Sequence, residues 1–240
     1  MSVLSASYQA ILAAKTQGEF KDEIIRFAND LGFQYVSAMT VVDHSLTHSE
    51  FHNVDNMPTG LVEATAGRPE IYRKDPVAQH CRRSAIPIMW DQKTYVQQGL
   101  GDQWEEQAAF GYRTGITLAL HMPEGRHFVL GVDRDRQLPR NPTALTRIVS
   151  ELQLFAVHAQ EVAMRLYPAE QHIDNRPNLT PREVEALSWT MEGKTAWETG
   201  FILGISERTV VLHLQNAMHK LGAVNKHQAV LKALRMNLIR

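Results

Sequence analysis

The sequence predicts an α+β chain in two parts. The first is an N-terminal α/β/α sandwich around an antiparallel sheet, and the second is a C-terminal four-helix helix-turn-helix domain. Three observations carry this. The apolar periodicity of the first two thirds runs α-β-β-α-α-β-β-α, which pairs strands side by side and leaves helices for the sheet faces. Residues 167–178 (YPAEQHIDNRPN) contain two prolines and few large apolar side chains, a linker composition. Beyond them, two short helical segments meet at a Gly204-Ile205-Ser206 corner. The expected boundaries are therefore residues 1–166, a linker over 167–178, and residues 179–240.

In the first part, Phe20, Ile24, Ile25, Phe27 and Leu31 recur at helical spacing, and Gly32 stops the run. Gln34 to Val42 is rich in β-branched and aromatic residues and reads as a strand, with Ser49 to Val54 as its antiparallel neighbour. Asn56 to Pro69, broken by Pro58, Gly60 and Gly67, reads as loop with one short helix. Asp75-Pro76 is a helix start, an N-cap acid followed by proline, and the helix is expected to reach about Arg83. Ile86 to Trp90 is extended and Asp102 to Tyr112 helical. The strands Gly115 to Met122 and His127 to Asp133 form a hairpin across the Pro123-Glu124-Gly125-Arg126 turn. Asn141 to Leu166 is a long helix with Ile148, Leu152, Phe155 and Val162 on one face.

In the second part, Thr180 caps the first helix, with Glu183 completing a capping box, and Gly193 ends it. Ser206 caps the second helix of the corner. Val210, Leu214, Ala217 and Leu221 step by four, three and four residues and form its buried stripe. Val211, Leu212, Gln215 and His219 then face outward. A helix presented this way fits the DNA major groove: Gln215 can pair with adenine, while Val211 and Leu212 can meet thymine methyls. Lys194, Thr195, Ser206, Arg208, Thr209, Lys220 and Lys226 are placed for phosphates.

Charge agrees in sign. The chain carries 25 Lys/Arg and 26 Asp/Glu. Residues 176–240 hold nine basic and five acidic residues, net +4, which leaves −5 on the remainder. A basic end on an acidic body suits a module that meets phosphate. No apolar run reaches the ~18 residues of a membrane helix. The N-terminus lacks the basic start and apolar stretch of a secretory signal. The single cysteine, Cys81, has no internal disulfide partner and reads as an inert buried thiol, and a cytoplasmic protein is expected.

Leu179 to Ala229 reads LTxRExExL…GKT…ISExTVxxHxxNxxxKLGAxNK, which resembles the DNA-binding domain of LuxR-type transcription regulators. The resemblance makes Glu183, Leu187 and Gly193 signature positions and places Val211, Leu212 and Gln215 toward bases. Two departures stand out. Thr199-Gly200 replaces a frequent Ile-Ala or Ile-Gly, and Val211-Leu212 replaces a frequent Asn-Phe, at the readout positions themselves.

The N-terminal part shows none of the βα alternation of a phosphorelay receiver. Over roughly Ala13 to Arg165 it resembles the autoinducer-binding domain of the quorum-sensing branch. The resemblance rests on Asp75-Pro76-Val77, Pro87 to Trp90, Trp104-Glu105 with Ala108 and Gly111, Gly115 before a strand, and Leu130-Gly131-Val132. It implies an N-acyl-homoserine lactone or a related signal as ligand and no other cofactor. Asp75 would accept the ligand amide N–H and Trp90 would wall the lactone ring. Val77, Cys81, Trp104, Phe110, Thr117 and Ala119 are further pocket candidates. The family's Trp and Tyr, partners of the ligand carbonyls, fall on Leu61 or Val62 and on Thr65 or Ala66. Its strand serine falls on Gly131. Each lost bond to a buried carbonyl costs ~1–3 kcal/mol, roughly one to two decades of affinity. A non-standard ligand, an enlarged pocket, or a regulator that folds without ligand is expected, with Tyr72 or Tyr112 as substitute donors.

No GxSxG, P-loop, HExxH or paired CxxC is present, so an enzyme is not expected. His44, His48 and His52 step by four on a strand-turn-strand segment, where that spacing does not make one face, and no metal site is expected. The sequence thus describes a ligand-responsive transcription regulator. The resemblance implies a homodimer, through the N-terminal domain and the last helix (Lys226 to Leu238), on a near-palindromic operator. Ligand can favour or release the DNA-bound state. The alternative is a ligand-independent regulator whose N-terminal domain serves only dimerisation or protein contacts.

Overall fold

A computed structural model describes residues 6–43, 49–168, 177–236 and 238–239. The chain forms two compact units. The first carries helices α1 (Ala6–Ala13) and α2 (Gln17–Asp30), strands β1 (Tyr35–Asp43) and β2 (Ser49–Asp55), and helices α3 (Thr59–Thr65), α4 (Pro69–Lys74) and α5 (Pro76–Cys81). Strand β3 (Ile88–Trp90), helices α6 (Gln92–Val96) and α7 (Gly101–Ala108), the hairpin β4 (Thr114–Met122) and β5 (Arg126–Arg134), and helix α8 (Pro142–Leu166) complete it. The second unit holds α9 (Pro181–Met191), α10 (Ala196–Leu203), α11 (Glu207–Lys220) and α12 (Lys226–Arg235).

The five strands form one antiparallel sheet in the order β2-β1-β5-β4-β3. Because side chains alternate across a strand, each strand serves two cores. Val36, Ala38, Ile116, Leu118, Phe128, Leu130 and Val132 point to one face and pack against α1, α2 and α8. There Phe27 of α2 and Phe155 of α8 stack with ring centroids 3.7 Å apart. The other face is covered by a smaller cluster built from Leu61, Val77, Cys81, Trp90, Tyr95, Tyr112 and Ala119. This is the α/β/α sandwich that the order of periodicities predicts.

Several elements differ from the sequence expectation. Over residues 56–69, where loop with one short helix is expected, α3 is that helix and α4 begins as a second. Helices α1 and α6 are additional: α6 is a five-residue segment nucleated by a capping box at Asp91 and too short to show a period. Helix α5 ends at Cys81 rather than Arg83. The ladder on β3 begins after Pro87, which has no N–H to offer it. Helix α7 ends at Ala108, and the chain turns through Gly111 at φ 92° before Tyr112. Helix α12 ends at Arg235, short of Leu238. Of the expected linker, residues 169–176 lie outside the described residues, as do His44 and His48 of the histidine trio.

In the second unit the local rules are obeyed closely. The Thr180–Glu183 capping box is formed, Ser206 caps α11, and Gly204 closes α10 in the left-handed region at φ 68°. Val210, Leu214, Ala217 and Leu221 are buried together with Ala186, Leu187, Ala229 and Val230. No helix among the described residues is long and apolar enough to cross a membrane.

Candidate functional site

The second sheet face is organised as rows, because antiparallel partners share a face. The first row runs Tyr35 on β1, Asp133 on β5, Gly115 on β4 and Trp90 on β3. The next runs Ser37, Gly131, Thr117 and Ile88, and the third Met39, Val129 and Ala119. The face thus grades from carboxyl, indole and phenol at one end to aliphatic side chains at the other.

Gly115 is required by this packing. A Cβ there would overlap Asp133 Oδ1 and lie 2.7 Å from the Trp90 ring. Trp90, 5% exposed, therefore lies across Gly115 and meets Tyr95 edge to face at 5.8 Å. Asp75 is drawn to the same cluster by its capping role. Its Oδ1 accepts from the Ala78 N–H at 2.8 Å, and its Oδ2 accepts from the Tyr95 hydroxyl at 2.8 Å and from Gln103 at 3.1 Å. Burial raises the Asp75 pKa, and these hydrogen bonds only partly oppose the rise. Burial, with Asp75 beside it, pushes the Cys81 thiol up to about 11, which makes it unreactive.

The remaining candidates separate. Val77 and Cys81 are buried in the cluster, with Trp104 and Phe110 packed on its rim. The Trp104 indole N–H donates to the Arg113 carbonyl, and the Phe110 ring covers Gly60. Thr117 is buried beside Gly131, where its hydroxyl lies 3.2 Å from the position of a residue-131 Cβ. Leu61 turns inward and Val62 outward, and Thr65, half-buried one helical turn after Leu61, donates its hydroxyl to the Leu61 carbonyl at 2.9 Å. A groove of about 460 Å³ opens at this corner, lined by Asn53, Asp55, Met57, Val62, Thr65, Ala66, Gly67, Arg68 and Tyr72. Asp75 and Trp90 do not line it. Tyr72 is half-exposed there, its hydroxyl 3.4 Å from Thr65 Oγ1, and stands apart from the buried cluster. Tyr95 and Gln103 were missed by sequence reasoning, and Asp133, which opens a charged Asp133-Arg-Asp-Arg136 run that reads in the sequence as a solvated strand end, is buried together with Arg134. Only alternation along β5 could have flagged Asp133, which shares a strand face with Gly131.

On the second unit, Val211, Leu212, Gln215 and His219 are exposed along one face of α11. Lys194, Arg208 and Lys226 are exposed near helix starts, and Thr195, Ser206 and Thr209 are engaged in caps. Lys220 has a task within the domain. Its ammonium bonds Glu183 at 2.8 Å and the Asn178 carbonyl at 3.0 Å. Trp197 and Phe201 of α10, overlooked in the sequence, are exposed and stacked at 6.4 Å.

Residues 16–163 match the autoinducer binding domain family, and residues 177–233 match the bacterial regulatory proteins of the luxR family. The chain belongs to the LuxR family. It is 30% identical over 235 residues to the transcriptional activator SolR of Ralstonia nicotianae, covering 97% of each protein. It is 36% identical over 169 residues to the quorum sensing-dependent regulator RpaR of Rhodopseudomonas palustris, covering 69% of this chain and 66% of that one. Among solved structures, Escherichia coli SdiA superposes with a TM-score of 0.71 at 28% identity, covering 96% of this chain and 94% of SdiA. A structure of SdiA in complex with octanoyl-rac-glycerol gives 0.70 at 27% identity, covering 98% and 97%. This LuxR-family protein is therefore a transcription regulator with a ligand-binding and a DNA-binding domain.

The family departure at Thr199 has a stability consequence. Thr199 is buried where LuxR-type domains often carry isoleucine, and its hydroxyl has no hydrogen-bond partner among the described residues. Thr199→Val removes that hydroxyl at nearly constant shape. It is expected to stabilise the DNA-binding domain by about 1 kcal/mol, which calorimetry reads as a rise of roughly 4–8 °C in its melting midpoint.

Proposed function

We propose that this regulator binds an amphiphilic acyl signal on the second sheet face and couples its occupancy to operator binding as a homodimer. The observation that carries the reading is the gradient of that face. Asp75, Asp133 and Trp90 gather at the end with the first row, and Met39, Val129 and Ala119 form the apolar third row. A head group that donates one hydrogen bond to Asp75 and a tail laid toward Ala119 fit this arrangement. N-acyl-homoserine lactones and monoacyl glycerols both meet it, the latter in line with the compound bound to SdiA. Ligand then acts as a population shift toward one of two DNA affinities. Calorimetry of the full chain with both compound classes tests this, and the reading fails if neither class binds.

A second reading has its own support. The Asp75 carboxylate is already met by three donors, and Trp90 is packed against Tyr95. A ligand-independent regulator would look like this. Footprinting of extensively dialysed protein separates the two, since full protection without added compound favours the second.

The exposed face of α11 supports DNA readout through Gln215, flanked by Val211 and Leu212. Gln215→Ala is expected to abolish the specific footprint, about 1–3 kcal/mol or roughly 10- to 100-fold. Weak, salt-sensitive binding should persist, because phosphate contacts from Lys194, Arg208 and Lys226 remain. An unchanged footprint would move the reading face elsewhere.

A further inference from the structure

We propose that the hydroxyl of Tyr112 and the carboxyl of Asp133 form the polar subsite that hydrogen-bonds the acyl carbonyl of the signal, in place of the side chains missing at Leu61, Thr65 and Gly131. This rests on the acyl-signal reading above and names the atoms that recognise it. Asp133 stands in the first row of the ligand face, beside Gly115 and Trp90. Tyr112 enters the same cluster from the turn after α7, its ring stacked on Tyr35 at 4.6 Å, and Tyr35 is itself the β1 partner of Asp133. Both side chains are more than nine-tenths buried, Tyr112 at 7% and Asp133 at 6% exposure.

One of the two groups is left unmatched within the protein. The Tyr112 hydroxyl has no hydrogen-bond partner among the described residues. Burial raises the Asp133 pKa well above its ordinary value and Asp75 raises it further. Burial and then Asp133 likewise push the Tyr112 hydroxyl up. Tyr112 thus keeps an O–H to donate, and burial biases Asp133 toward its protonated form, which donates as well. Buried polar groups left unmatched are rare, and the Tyr112 hydroxyl on the ligand face calls for an acceptor. The carbonyl of an amide or ester supplies two lone pairs. Asp75, the ionisable neighbour already supplied with donors, remains to accept from the ligand's own N–H or O–H. The sequence removed carbonyl partners at three positions, and the fold returns two donors from other elements.

The test uses full-length protein and three probes: N-octanoyl-homoserine lactone, 1-octanoyl-glycerol, and 1-octyl-glycerol, the ether that keeps chain and hydroxyls but lacks the carbonyl. Wild type should bind the octanoyl glycerol about tenfold or more tightly than the ether. Tyr112→Phe should weaken both octanoyl compounds about tenfold, leave the ether unchanged, and raise the melting midpoint, because it deletes an unmatched hydroxyl. Asp133→Ala should weaken the octanoyl compounds similarly, whereas Asp133→Asn, which still donates, should stay within threefold of wild type. A merely structural pair would lose stability and affinity together. If wild type binds the octanoyl compounds but Tyr112→Phe binds them equally well, or if Asp133→Asn fails as Asp133→Ala does, the subsite is wrong while the acyl-signal reading stands. If wild type binds none of the three, the acyl-signal reading itself falls.

Discussion

Gly115→Ala is expected to destabilise the ligand-binding unit by about 2–3 kcal/mol, at the upper end of what overpacking costs. The new methyl group would overlap Asp133 Oδ1 and press on the Trp90 ring from 2.7 Å. Neither neighbour can yield cheaply. Trp90 is pinned edge-on by Tyr95, and Asp133 sits on a strand paired on both sides, to β1 and to β4. Hydrogen exchange is the suitable measurement, because it reports each unit separately. Peptides from β4 and β5 should lose protection in the variant. The double variant Gly115→Ala with Asp133→Ala relieves one of the two collisions and should recover part of the loss. Wild-type protection in the single variant would mean that Trp90 does not lie where the row arrangement puts it.

Gly115 also marks how far the sequence could be read. A glycine opening a strand was visible, and the resemblance flagged it, but its reason is a contact among β3, β4 and β5 that no local pattern encodes. The same holds for Asp75. Its N-cap role follows from Asp75-Pro76, whereas its bonds to Tyr95 and Gln103 span 20 and 28 residues. The long helix α8 and the β4–β5 hairpin were legible because each repeats a period over nine or more residues. Helices α3, α4 and α6 span five to seven residues, less than two full turns, too short to show a period; only α6 carries a side-chain cap. The DNA-binding unit was read almost residue by residue. Its helices are bounded by Thr180, Gly193, Thr195, Gly204 and Ser206, side chains and glycines that act locally. What remained hidden there were the exposed Trp197–Phe201 stack and the bond that Lys220, still about one-third exposed, makes to the buried Glu183.

That interior contact supports the other large effect. Glu183→Ala should destabilise the DNA-binding unit by about 3 kcal/mol. Glu183 is 2% exposed, and its Oε2 accepts from Lys220 at 2.8 Å and from the Thr180 N–H at 2.7 Å. The substitution removes the Glu183 half of the capping box, its bond from the Thr180 N–H, worth about 1 kcal/mol, and an ion pair buried on the Glu183 side only, whose rupture costs about 2 kcal/mol. Lys220 is one-third exposed and regains part of that in water. The pH dependence has a definite sign. Burial by itself raises the Glu183 pKa, but the bonds from Lys220 and Thr180 outweigh it and hold the carboxyl below its usual value. A folded pKa below the unfolded one, about 4.3, gives stability that is fully present above that pH and is lost as pH falls through the folded value. Urea titrations of wild type and Glu183→Ala should therefore differ most at neutral pH and converge in acid. Glu183→Gln retains an acceptor for the Thr180 N–H and should fall between them. A gap that persists undiminished well below pH 4 would assign the role of Glu183 to packing and capping alone, and would release Lys220 to meet the phosphate backbone.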